Sequence, residues 1–140
     1  TYVHLLASAL LSPFRAAVMP RTVPALGSVI SLQFRADVTH QLPLVGQKIV
    51  EALHPFHIWT DDWLAERLAW KPERPAYALL LRGQRLVTPV DITYQAHHQG
   101  CRSWITLQDE VTEWPNGVPV LSDQDYHRQV TQIQAAIAEG

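Results

Sequence analysis

The chain has 140 residues, a mass of 15.8 kDa, a formal net charge of −2, 47% apolar residues and 17% charged residues. We expect one domain over residues 1–140 with a self-supporting core, and the composition excludes disorder and a polyelectrolyte partner for the whole chain. A single cysteine, Cys101, excludes an intrachain disulfide and favours a cytoplasmic location. No apolar stretch is long enough to span a bilayer, so no membrane partner is predicted. Because the sequence begins at Thr1 and not at a methionine, an alternative expectation is that it is the C-terminal part of a longer protein.

The first half of the chain predicts two helices and a strand between them. A helix is predicted over 2–12, since Pro13 would break it. Alternating apolar and polar residues predict a strand over 28–39. Apolar residues at helical spacing predict a helix over 45–53, which Pro55 ends.

The second half adds one capped helix and several strands. The Thr60 hydroxyl can cap a helix that has Asp61 and Asp62 in its first turn. Strands are predicted over 76–82, which we expect to be buried on both faces, over 87–94 and over 102–107. With ten prolines separating short elements, the chain is predicted to be α+β, with a mixed or antiparallel sheet of about four strands flanked by helices.

The C-terminal segment has the clearest helical pattern. Ser122 can cap a helix in which Tyr126, Val130, Ile133 and Ile137 share one apolar face. This face either covers the chain's own sheet or pairs with a second copy, so a homo-oligomer formed through this helix is an alternative. We favour the first interpretation, because a coiled coil sustains its pattern for at least ~3 heptads.

Charge is distributed unevenly along the chain. Residues 67–102 carry a net charge of +4, whereas residues 103–140 carry −5. A focused positive region predicts binding of an anion, including a nucleic-acid phosphate. The alternative is that these arginines point in different directions and pair with the acidic tail.

Aromatic and basic residues alternate after position 58. Trp59, Trp63, Arg67 and Trp70 are spaced by four, four and three residues, so a helix beginning at Trp59 would place them in one stripe. Such a stripe can stack a nucleotide base. The alternative role of these indoles is core packing.

Histidines and the cysteine supply the residue types that zinc prefers, namely His54, His57, His97, His98 and Cys101. Cys101 lacks the paired-cysteine spacing of zinc sites, and one of the two adjacent histidines must point away. We therefore predict no metal and no other cofactor.

A nucleophilic site is a further candidate. Cys101 or Ser103 would attack, His57 would act as base and Asp61 would orient it, with Arg102 favouring the thiolate. The alternative is a structural cysteine at the start of a strand.

Three segments of the chain resemble a known family. They are HPFHIWT at 54–60, ERLAWKPERPAYALLLR at 66–82 and GCRSWITL at 100–107. Together they are similar to the uncharacterised bacterial family catalogued as domain of unknown function 1802, which is common in cyanobacteria. Thr1-Tyr2-Val3-His4 resembles an internal segment of that family, which implies a preceding strand. The resemblance implies no activity by itself, but it associates such domains with restriction-type nuclease modules.

The resemblance also marks individual positions. Those that match the family signature are His57, Trp59, Thr60, Glu66, Arg67, Trp70, Pro72, Arg82, Gly100, Cys101, Ser103 and Trp104. They combine core-like residues with polar types suited to a bound anion.

These observations lead to one principal hypothesis and two alternatives. The principal hypothesis is a non-catalytic module that binds an anion, a phosphate-bearing ligand or nucleic acid in DNA-related, restriction-type systems. Its predicted binding residues are His57, Trp59, Arg67, Arg82, Arg85 and Arg102, with Trp63 or Trp104 as further stacking faces. One alternative is an enzyme that acts on a nucleotide through His57 with Cys101 or Ser103. The other is a scaffold or oligomerisation domain.

Overall fold

The structure is a computed structural model that describes residues 11, 24–45, 48–69, 74, 76–99, 106–107 and 111–139. In chain order, its elements are strand β1 (Val29–Leu44), helix α1 (Lys48–Leu53), a 3₁₀ turn (His54–Phe56), helix α2 (Asp61–Ala69), strand β2 (Ala76–Thr93), a second 3₁₀ turn (Ala96–His98), strand β3 (Gly117–Pro119) and helix α3 (Asp123–Glu139). The strands form a sheet in the order β1-β2-β3. This combination of an antiparallel sheet with separate helices confirms the α+β class.

Packing divides the chain into two compact units. Within the described ranges, the first unit comprises Leu11, residues 38–80 and residues 123–139. Within the same described ranges, the second unit comprises residues 24–37, 81–99, 106–107 and 111–122.

The sheet has three strands in the described part of the chain, not the four that were predicted. The segments 76–82 and 87–94 form one strand, β2, because Gly83 continues the extended backbone instead of ending it. Pro89 is tolerated, since it lies beyond the Gln84–Leu86 segment that pairs with β3. The predicted strand over 102–107 falls outside the described residues, except for Thr106 and Leu107, which have no regular structure.

The expectation that 76–82 is buried on both faces is wrong. Leu80 is buried, but its neighbours Tyr77, Leu79 and Leu81 are exposed. Side chains alternate between the two faces of a strand, and an antiparallel sheet can leave one face open. The run of apolar residues therefore predicts a strand, but it does not predict that both faces of the strand are buried.

The end of α1 and the start of α2 lie where local signals predicted them, whereas α1 begins at Lys48 and not at Val45. Helix α1 ends at Leu53, directly before the 3₁₀ turn that contains Pro55. The Thr60 hydroxyl accepts a hydrogen bond from the Trp63 backbone N–H at 3.4 Å, which confirms the cap of α2. In the ranges given above, no helix combines the length and apolar character needed to cross a membrane. The helix predicted over 2–12 lies outside them, apart from Leu11.

The core of the first unit is built around α1. Ile49 is 2% exposed and packs with Leu53, and around this pair lie Leu44, Phe56, Leu64, Leu68, Ile133 and Ile137. The apolar face of α3 thus packs against α1 within the chain. Each such buried aliphatic side chain stabilises the fold by about 2 kcal/mol.

The second unit is held by strand pairing and by one polar cluster. The Gly27 and Tyr94 backbone N–H groups donate to the Tyr94 and Ser28 carbonyls, each at 2.8 Å, so the start of β1 lies antiparallel to the end of β2. The Gln84 Oε1 accepts hydrogen bonds from Arg35 Nε at 3.2 Å and Nη2 at 2.9 Å. A Cβ on Gly117 would lie 2.8 Å from Gln84 Cβ, so glycine allows β3 to approach this cluster.

Candidate functional site

The first unit contains a cavity of about 650 Å³. Residues from β1, α1, the first 3₁₀ turn, α2, β2 and α3 line it, and most of them are apolar. The volume lies in the range of pockets that hold small organic ligands, roughly 300–1,000 Å³. The cavity is therefore the concave surface on which a candidate site can be built.

Among the described residues, the polar side chains that line this cavity include Gln41 from β1, His57 after the 3₁₀ turn and Arg67 in the last turn of α2, and Tyr77 from β2 adds a hydroxyl group. Among the described residues that line it, none is acidic. An arginine in the last turn also complements the negative end of the helix dipole. The polar part of the lining is thus cationic or neutral, which suits an anion.

Two tryptophans form an aromatic part of the lining. The ring centroids of Trp59 and Trp63 are 4.3 Å apart and their planes differ by 19°, so the indoles are stacked. Helix α2 begins at Asp61, which means that Trp59 lies before the helix and not in its first turn as the stripe required. The stripe prediction is nonetheless met in part, because both indoles and Arg67 line one cavity. Trp70 lies outside the described residues.

The loop before α2 positions His57. Its Nδ1 accepts a hydrogen bond from the Trp59 backbone N–H at 3.2 Å. Because Nδ1 acts as the acceptor, the neutral ring carries its proton on Nε2. The Leu11 N–H donates to the neighbouring Ile58 carbonyl at 2.8 Å.

Asp61, which the sequence suggested as the orienting partner of His57, hydrogen-bonds to His54. The His54 Nδ1 and Asp61 Oδ1 atoms are 2.9 Å apart. The ring centroids of His54 and His57 are 5.7 Å apart. Two of the histidines considered from the sequence are therefore neighbours, with Asp61 beside them.

The remaining candidate residues lie elsewhere or outside the described ranges. Arg82 and Arg85 are in the β2 portion of the second unit, and their odd spacing places them on opposite faces of the strand. His97 and His98 are also in the second unit. Cys101, Arg102, Ser103 and Trp104 are outside the described residues. The structure brings together His57, Trp59 and Arg67, half of the predicted binding set.

Sequence reasoning did not find Gln41 and Tyr77, which line the cavity from β1 and β2. Gln41 follows the predicted end of the first strand, whereas β1 continues to Leu44. The sequence pattern predicts a buried strand at Tyr77 and so does not identify it as a lining residue. The alternation of side chains with a period of two continues beyond Thr39, and following it further along the chain would have placed Gln41 in the strand.

Comparison with known proteins bears on identity and not on chemistry. None of the curated proteins and none of the solved structures with which the chain was compared matches it. The segments at 54–60, 66–82 and 100–107 were the basis of the predicted resemblance, and a family model covers all three. Since that model matches residues 1–132, the chain belongs to the family described as a domain of unknown function (DUF1802).

Proposed function

We propose that the chain is a non-catalytic binding module whose cavity in the first unit receives an anionic ligand with a flat ring, a nucleotide either free or within a single-stranded nucleic acid. The observation that carries this proposal is the lining itself. Stacked indoles, Arg67 and His57 line one cavity, and no acidic residue occurs among the described residues of its wall.

The ring of the ligand would be recognised by stacking. Trp59 and Trp63 are half-buried, and indole faces stack nucleotide bases at about 1–3 kcal/mol per base. The surrounding wall supplies aliphatic contacts from residues such as Leu64 and Leu68. Because the inner faces of the two indoles are stacked on each other, a base would stack on an outer face, and the contact removes one face of the ring from water.

The charge of the ligand would be recognised by Arg67. A guanidinium presents a planar fork of N–H donors that matches the geometry of phosphate. The His57 imidazole adds a hydrogen-bond donor at Nε2 in its neutral form. No carboxylate occurs among the described residues that line the cavity, which favours entry of a phosphate over entry of a cationic group.

The association that the sequence resemblance implies supports a role in DNA-related processes, although the family description itself states no function. The resemblance associates such domains with restriction-type nuclease modules, and a binding module beside a nuclease is suited to hold a nucleic-acid strand. We therefore place the proposed activity in a restriction-type system. Arg82, Arg85 and Arg102 stay predicted binding residues.

The test is fluorescence polarisation of a labelled single-stranded oligonucleotide in the presence of EDTA, with a mononucleotide as competitor. We expect binding that weakens between about 50 and 200 mM salt, because phosphate contacts release counterions. Arg67→Gln should weaken binding by about tenfold or more, since it removes a charge-assisted hydrogen bond. The matched control is Arg128→Gln, which removes the same charge from the exposed surface of α3 in the same unit.

Two results would overturn the proposal. One is the absence of salt-sensitive binding by the wild-type chain. The other is equal binding by the Arg67→Gln and Arg128→Gln variants. Competition by a mononucleotide, but not by ribose phosphate without a base, would support stacking on the indoles. Competition by the oligonucleotide alone would assign the site to a strand rather than to a free nucleotide.

A further inference from the structure

We infer that His54, His57 and Asp61 bind one divalent transition-metal ion of the zinc class. One donor atom from each residue lies within 4.8 Å of the other two. Two imidazoles and a carboxylate are donors that such ions prefer. This inference and the proposed function rest on different observations, although His57 belongs to both sites.

Local structure brings the three residues together. His54 begins the 3₁₀ turn, Pro55 fixes the backbone of that turn, and His57 follows it directly. Asp61 is the first residue of α2, whose start is set by the Thr60 cap. A tight turn and a capped helix that begins five residues after the end of that turn therefore gather donors from positions three and seven residues after His54.

The spacing of the donor atoms is close to that of a metal site. The His54 Nδ1 and Asp61 Oδ1 atoms are already 2.9 Å apart. In a tetrahedral site with bonds of roughly 2.1 Å, neighbouring donors are about 3.4 Å apart. The His54 and Asp61 side chains are 48% and 57% exposed, so they can rotate to meet an ion that arrives from solvent.

The coordination would be incomplete without a further ligand. Three protein donors leave at least one position for water or an external group, the arrangement of catalytic and ligand-binding zinc sites rather than of closed structural ones. The alternative role for the pair is a surface hydrogen bond between His54 and Asp61, which would contribute little to stability. That role does not require His57, whereas the metal site does.

The Trp59 amide supplies an internal reporter. Its N–H donates to His57 Nδ1. An ion on Nδ1 would replace this hydrogen bond, and an ion on Nε2 would move the ring proton to Nδ1 and remove the acceptor. Either mode of coordination changes the environment of the Trp59 N–H.

The test is a titration of the full chain, freed of metal with EDTA and then dialysed, with Zn²⁺ and without nucleotide. Calorimetry should show one Zn²⁺ per chain, and the Trp59 amide resonance should shift during the titration. His54→Ala and Asp61→Asn should each weaken binding by about tenfold or more, because each removes a ligand. The matched controls are His127→Ala and Asp62→Asn, exposed residues of the same types in the same unit.

A wild-type chain that binds no Zn²⁺ would overturn the inference. So would equal affinity in the ligand variants and their controls, or an unmoved Trp59 resonance at saturation. Since this assay contains no nucleotide and the polarisation assay contains EDTA, either proposal can fail while the other holds. Both ligand variants change exposed side chains, and their circular dichroism should match that of the wild type.

Discussion

Gly27 has a φ angle of 83°, in the left-handed region that side chains disfavour. It is the third residue of a turn in which the Ser28 N–H donates to the Ala25 carbonyl at 3.0 Å. A type II turn requires positive φ at this position. We expect Gly27→Ala to lower the free energy of unfolding by about 1–2 kcal/mol through backbone strain, measured by urea denaturation.

The control separates strain from the added methyl group. A Cβ at Gly27 would meet no atom within 4 Å, and a Cβ at Gly83 would make an ordinary contact of 3.7 Å with Val120 Cγ2. Gly83→Ala should therefore remain within about 1 kcal/mol of the wild type. Equal losses in both variants would contradict the assignment of the Gly27 effect to φ.

At the scale of elements, the Thr60 cap decides where α2 begins. Its hydroxyl accepts the Trp63 N–H, and its carbonyl accepts the Leu64 N–H at 3.1 Å. Thr60→Ala should lower the free energy of unfolding by about 1 kcal/mol, because an N-terminal donor of the helix loses its acceptor. Denaturant titration measures this loss, and Thr60→Ser, which keeps the hydroxyl, is the control. A loss as large in Thr60→Ser would show that the methyl group and not the cap is responsible.

The same element shows how far local signals reach. Thr60, Pro55 and Ser122 predicted helix boundaries well, because capping and proline geometry depend on a few neighbouring residues. Gly83 misled the strand assignment, since glycine is compatible with both a turn and an extended chain. Whether it ends a strand depends on pairing with β3, a contact over thirty residues away in the chain that the local pattern does not contain.

At the scale of the whole molecule, α3 closes the core of the first unit. Ile133 and Ile137 pack against Ile49 and Leu53, and the Tyr126 hydroxyl hydrogen-bonds to Thr39. A chain ending at Ser122 should lose this core, because Ile49 would be left uncovered. We expect a red shift of tryptophan fluorescence and loss of a cooperative unfolding transition.

A shorter truncation tests the specificity of that result. A chain ending at Ile137 keeps every α3 residue named in the core, so its fluorescence maximum and its unfolding transition should match those of the full chain. Native-like unfolding of the chain ending at Ser122 would mean that α3 is dispensable. Sequence periodicity predicted the apolar face of α3, but its main partner proved to be another helix and not the sheet alone.

The candidate site shows the same division between local and distant information. His57, Trp59 and Arg67 were predicted from one continuous stretch, and they line one cavity. Gln41 and Tyr77 enter that cavity from two strands, and only the paired sheet identifies them as lining residues. Arg82 and Arg85 were grouped because they lie in a stretch with a positive net charge. Net charge along the chain does not show that side chains in a strand alternate between its two faces.

Each of the two compact units is built from segments that are separated in the sequence, and this order affects how the gene can recombine. The chain crosses from the second unit to the first at Val38, within β1, and back to the second unit at Leu81, within β2. It crosses to the first unit again at Asp123. Neither unit is encoded by one uninterrupted stretch of gene. Exchange of either unit between related genes would therefore require more than one recombined segment.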